Sequence, residues 1–78
     1  MFKLVILDIK TTQLIFQEIV SNVVLPGDDG EISILDFHQP IISCLKNGII
    51  KINSNNSICI KEGIAKMKDN ELVLLVEK

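Results

Sequence analysis

The chain has 78 residues, 47% of them apolar, and a formal net charge of −2 from eight basic and ten acidic side chains. A chain this short holds a single domain, residues 1–78, and buries only about 60–65% of its unfolded surface, yet it is far too apolar to be a disordered tail. Charges are scattered, with no basic stripe, and the aromatics are Phe2, Phe16 and Phe37. That argues against nucleic-acid binding through phosphate contacts and stacked bases. No apolar run approaches the ~20 residues that cross a bilayer as a helix. Lys3 and Asp8 flank an opening run too short for a secretory signal, and no lipidation motif is present.

Period-2 patterning and β-branched residues dominate the chain in order. Phe2 to Ile9 reads as a strand, apolar on both faces towards its middle and so expected to be covered on both sides. Thr11-Thr12 marks a turn before a short strand, Leu14 to Phe16, and Glu18 to Leu25 reads as a longer strand ending at Pro26. Glu31 to Leu35 follows the acidic turn, and Pro40 to Leu45 fits a strand or a short helical turn and is read as a strand. Gly48 to Asn53 and Ser57 to Lys61 flank Ser54-Asn55-Asn56, residues suited to the left-handed positions of a hairpin loop. Gly63 to Met67 and Glu71 to Val76 form a last hairpin around Lys68-Asp69-Asn70. No amphipathic helix, linker or solenoid repeat interrupts this series. The class it predicts is all-β: a two-sheet sandwich of short, mostly antiparallel strands.

The stretch from Val24 to Gly48 is the most specific. Pro26-Gly27, Asp28-Asp29 and Gly30 lead into Ile32, Ser33, Ile34 and Leu35, then His38-x-Pro40, an apolar run, and Leu45-x-x-Gly48. This order resembles the N-terminal β-sandwich of the epsilon subunit of F-type ATP synthases, called delta in mitochondria. That family shows V-x-P-x-x-x-G-x-[apolar]-G-[apolar]-L-x-x-H-x-P, an apolar segment and L-x-x-G. Gly63-Ile64-Ala65 and Asn70 to Leu75 are similar to the family's closing strands, so the resemblance spans essentially the whole chain. Two residues depart from the pattern: Ser33 and Glu62 stand where the family usually has glycine.

The resemblance implies a rotor component with no catalytic residues, cofactor, metal or small-molecule substrate. Its partners would be the gamma subunit and the c ring, and it would couple ion flow to ATP synthesis. Matched position by position, Glu31 falls on an acidic residue of the ring-facing loop. His38 and Ser43 fall near gamma and the ring, and Lys10 on a gamma-facing position. The place implied is the cytoplasmic face of the bacterial inner membrane, peripheral and without membrane insertion. Longer family members continue into a helical hairpin that can bind ATP or block hydrolysis. These 78 residues stop where the sandwich ends, so the expectation is a subunit that couples but does not brake.

Other readings start from single residues. His38 is the one histidine, so a hydrolase would have to pair it with Cys44, Ser43 or Ser33, and no nucleophile elbow surrounds any of them. Asp28, Asp29, Glu31 and Asp36 miss the alternating spacing of a calcium loop and read as an acidic rim that steers a partner. Lys66 and Lys68, near Ala65 and Met67, invite comparison with the modified lysine of carrier domains, whose lysine stands at a mid-chain turn; a carrier or adaptor is therefore the alternative function. Cys44 and Cys59 lack C-x-x-C spacing and read as small apolar fillers in a reducing compartment, with a bridge between them the open alternative.

Overall fold

Alternating side chains make the strands and choose their inner faces. The computed structural model of the chain describes residues 1–35 and 39–78. They form β1 (Phe2–Asp8), β2 (Leu14–Val20), β3 (Asn22–Gly27), β4 (Gly30–Leu35), β5 (Ile41–Leu45), β6 (Gly48–Ile52), β7 (Asn56–Ile60), β8 (Glu62–Lys68) and β9 (Glu71–Glu77). In β8 the pattern is strict, with Gly63, Ala65 and Met67 buried and the residues between them exposed. Phe2, Leu4 and Ile6 of β1 and Leu72, Leu74 and Val76 of β9 point the same way.

Hydrogen bonding runs along one path, β2-β1-β9-β8-β5-β3-β6-β7, with β4 on the remaining edge of β3. All pairs are antiparallel except β1 with β9. Between β5 and β3 the path narrows to the single pair Gly27–Leu45. There the sheet folds over, so that β2, β1, β9, β8 and β5 face β3, β4, β6 and β7 across one core. Val23, Leu25, Ile34, Ile50, Ile52 and Ile60 of the second layer belong to the same buried cluster as the inner residues of β1, β8 and β9. The two-layered all-β class is therefore as expected, and no helix occurs among the described residues.

Turn chemistry follows the sequence closely. Asp8 Oδ1 accepts hydrogen bonds from the N–H groups of Lys10 (2.8 Å) and Thr11 (3.1 Å), and Thr12 takes a left-handed φ of 57°. The Thr11 and Lys10 backbone donors hold the Asp8 carboxyl below its ordinary pKa. Asp69 and Asn70 have φ of 54° and 59° between the paired residues Lys68 and Glu71, the geometry of a two-residue type I′ hairpin. The left-handed pair in the β6–β7 loop is Asn53-Ser54, one residue earlier than expected. Gly30 has φ +129°, a conformation that L side chains rarely adopt, with open space where a Cβ would stand. Ser33 and Glu62, the two departures from the glycine pattern, are exposed and keep negative φ in regular strands, so a side chain fits there without strain.

Three expectations are corrected. The break between the second and third strands falls at Ser21, because β2 continues through Gln17 to Val20. Its cause lies 32 residues away, where Asn53 Oδ1 accepts hydrogen bonds from Ser21 N (2.8 Å), Ser21 Oγ (3.0 Å) and Asn22 N (3.3 Å). One amide oxygen thus pins the corner, and no local pattern could announce it. Cys44 and Cys59 are exposed free thiols, not fillers, since Leu45 and Ile60 take the inward positions and alternation turns their neighbours out. The outer face of β1 has no described element over it, although Val5 and Leu7 are apolar.

Asn53→Ala is expected to lower stability by about 1–3 kcal/mol, losing three hydrogen bonds and straining a left-handed residue. Asn53→Gly keeps the backbone and isolates the side-chain part. Denaturant midpoints of both variants are the check; an alanine variant as stable as the parent would show that the corner holds without the amide.

Candidate functional site

The strand registers lay out a broad outer face on β2, β1, β9, β8 and β5. One row across it reads Cys44–Ile64–Leu75–Leu7–Leu14, each residue paired with the next. The next row reads Ile42–Lys66–Val73–Val5–Gln17. Five strands about 4.8 Å apart make this face ~19 Å wide. Ile42 is 74% exposed and Leu14 56%, while Ile64 is 40% exposed. Scattered single hydrophobics on a surface need no explanation, but two adjacent rows do.

The opposite outer face is more polar. There the row Ser33–Val24–Lys51–Ser57 crosses β4, β3, β6 and β7 with one apolar side chain in four, although Leu35 and Ile49 are also exposed on this side. The two outer faces therefore differ, and the difference is written in the strands. In β1 and β9 apolar residues occupy both alternate sets, as in Leu4-Val5-Ile6-Leu7 and Leu72-Val73-Leu74-Leu75. That doubling is the legible signal. On its own it predicts strands covered on both sides, whereas among the described residues only the inner side is covered.

Of the residues singled out by the sequence, Lys10, Glu31 and Ser43 lie towards one end of the sandwich. Pairing links Asp8 to Val76, Val76 to Gly63, Gly63 to Leu45, Leu45 to Gly27 and Gly27 to Gly30, so the turns following β1 and β3 share an end. Glu31 and Ser43 line one groove of about 450 Å³ between β4 and β5, with Asp28 and Asp29 at its rim. Among the described residues Ser43 Oγ makes one long hydrogen bond, 3.5 Å, to its neighbour's carbonyl at Cys44. A neighbouring groove of about 460 Å³ is lined by Ile9, Asp28 and Lys46. Lys10 stands beside Ile9, its Nζ 3.4 Å from a Glu77 carboxylate oxygen on an open surface, a pair that contributes little in water. His38 lies outside the described residues. Among the described residues no three His, Cys, Asp or Glu side chains are grouped as metal ligands would be.

Lys66 sits in the middle of β8, between Ile42 of β5 and Val73 of β9, and Lys68 at that strand's last position. A lysine flanked by two paired strands does not project from a turn as a carrier's modified lysine does.

A two-layered β-domain with one apolar and one more polar outer face has the surface asymmetry that suits docking against a neighbour. The chain belongs to the family of the ATP synthase delta/epsilon chain β-sandwich domain, whose model matches residues 3–78. Over 51 residues it is 49% identical to the ATP synthase epsilon chain of Campylobacter curvus (strain 525.92), a match covering 64% of this chain and 40% of that one. It is 41% identical over 46 residues to the mitochondrial ATP synthase subunit delta of Schizosaccharomyces pombe, covering 58% of this chain and 28% of that one. Among solved structures, a chain of the Tetrahymena thermophila mitochondrial ATP synthase central stalk and c-ring superposes with a TM-score of 0.81 at 12% identity. That match covers 97% of this chain and 63% of its counterpart. A chain of the Euglena gracilis mitochondrial ATP synthase, in a structure of its OSCP, F1 and c-ring, gives 0.80 at 18% identity, with 100% and 52% covered. At these identities the structural likeness is one of fold. The chain spans less than two thirds of the length of each of these relatives.

Proposed function

We propose that this domain is a non-catalytic rotor part of an F-type ATP synthase, seated on the central stalk between the gamma subunit and the membrane ring of c subunits. Family membership supports the complex, and one observation supports the seating: the apolar double row on the outer face of β2, β1, β9, β8 and β5. A surface of that breadth favours a permanent neighbour, because leaving it in water is costly and covering it stabilises the assembly. The end carrying Glu31 and Ser43 then turns towards the polar loops of the ring, with Lys10 on the side of gamma. His38 belongs to the same proposed contact. The domain would lie peripherally on the side of the membrane where the catalytic subunits stand, the cytoplasmic side in a bacterium.

Torque transmission asks for stiffness, and the fold supplies it. Every described strand places two or more residues in, or directly against, the common buried cluster; even the short β5 and β7 join it through Leu45 and Ile41, and through Ile60 and Ile58. A core packed at crystal-like density yields little under load. Nothing in this role needs a nucleophile or a cofactor.

The seating is tested by mixing the chain with purified gamma subunit and measuring complex formation by gel filtration and calorimetry. Failure to bind under any salt condition would sink it. The ring-facing end has its own test. Glu31 is exposed, so Glu31→Lys is expected to leave domain stability within about 0.5 kcal/mol while weakening attachment of the stalk to the ring. Full proton- or sodium-driven coupling in membranes carrying the variant would contradict the placement.

A further inference from the structure

Two lysines interrupt the apolar face. Lys66 and Lys68 are both exposed on the outer side of β8, two positions apart and therefore about 6.6 Å from each other along the strand. The carboxylate opposite Lys68 belongs to Glu71, and it turns the other way, to Lys3 Nζ at 3.6 Å. Among the described residues no acidic side chain forms an ion pair with Lys66 or Lys68. Beside them lies a groove of about 340 Å³, whose apolar lining is Pro40, Ile41, Ile42 and Met67 and whose charged lining is the two lysines themselves. Ile42, the most exposed large hydrophobic residue described, stands at this groove and directly across from Lys66.

Covering this face with a purely apolar surface would strand two ammonium groups without partners, which is costly when water is excluded. Covering it with a purely acidic one would leave Ile42 and its groove unfilled. We propose that the groove is the socket for an acidic–apolar segment of the stalk subunit: an aliphatic or aromatic side chain enters beside Ile42, and carboxylates on either side of it meet Lys66 and Lys68. The inference rests on the docking of this face to the stalk. It adds the chemistry of the occupant and the means by which register is set. Apolar rows tolerate sliding by one strand spacing, whereas two fixed charges do not, so the lysines select one orientation. A protein surface is favoured over an anionic lipid headgroup because the lysines rise from within an apolar face. Phosphates meeting them alone would leave the row from Cys44 to Leu14 in water.

The test measures affinity of the full chain for purified gamma subunit at low and at raised salt, for the parent, Lys66→Glu/Lys68→Glu and Lys66→Met/Lys68→Met. The methionine pair keeps the apolar stems and sets no new carboxylate against Glu71, so a loss of folding in the reversal variant does not hide the answer. Thermal melting confirms that each variant is folded. Charge reversal is expected to weaken binding about 10-fold or more, and the methionine pair is expected to flatten its salt dependence. Parent-like affinity and salt dependence in both variants, with Ile42→Asp still abolishing binding, would overturn this inference and leave the docking itself standing. Absence of binding by the parent protein would remove the docking too. Lysine-dependent binding to phosphatidylglycerol vesicles, with unchanged affinity for gamma, would reassign the socket to lipid and equally overturn the proposal.

Discussion

Gly63→Val is expected to lower the melting temperature by roughly 10–20 °C, the largest stability effect among the single substitutions considered for this domain. Gly63 is buried in β8, and a Cβ there would stand 2.6 Å from the Leu75 carbonyl oxygen and 3.2 Å from the Val76 Cα. Those atoms are backbone of β9, a strand held by β8 on one edge and by β1 on the other, so they cannot move aside cheaply. Overpacking of this kind costs about 1–3 kcal/mol or more, against a total stability of about 4–12 kcal/mol for a chain of this size. Gly63→Ala should show the same effect in smaller measure. Circular dichroism melts of both variants check the claim, and a valine variant within a couple of degrees of the parent would mean that β9 gives way more easily than its pairing implies. Gly30 makes the useful contrast: a Cβ there meets nothing within 4 Å, so its requirement comes from φ alone.

Ile42→Asp combined with Ile64→Asp is expected to abolish assembly with the stalk while leaving the isolated domain folded. Both side chains point outward, at 74% and 40% exposure, so neither contributes much to the core. In a seated domain they would lie under the β5–β8 side of the covered surface. Truncating a well-packed anchor typically costs about 2 kcal/mol or more, and placing an unpaired carboxylate under a dry interface costs further. Roughly a hundredfold loss of affinity is therefore expected, with denaturant stability changed by about 0.5 kcal/mol or less per site. Equal assembly by the double variant would remove the apolar face as the docking surface. The polar face, carrying Ser33, Lys51 and Ser57, serves as the control, and Lys51→Asp there should be silent in the same assay.

Much of this was written locally. Residues such as Ala65 and Met67, set between Ile64, Lys66 and Lys68, settle strand and inward face together, because successive side chains in a strand point to opposite sides. Asp69-Asn70 and Gly30 settle their turns, since few residues tolerate the backbone angles those turns require. The Val24-to-Gly48 pattern carried the family, because its closely spaced glycines and prolines punctuate short strands in a specific order. Glu31 and Ser43 could be named from that pattern, and Lys10 from the wider resemblance, but none of them could be placed.

Tertiary structure decided the rest, and in each case the reason is distance along the chain. The Ser21 corner depends on the amide of Asn53, so neither segment alone shows where β2 ends. Alternation says that Cys44 and Leu45 face opposite ways, but only the fold-over at Gly27–Leu45 decides which of them is inside. The doubled apolar pattern of β1 and β9 announces that both faces avoid water; it cannot say that the described residues cover one and leave the other open. Ile42, Ile64, Leu75, Leu7 and Leu14 come from separate strands scattered along the sequence. They become a surface only when β1 and β9 pair in parallel and bring the first and last strands side by side at the centre of that layer.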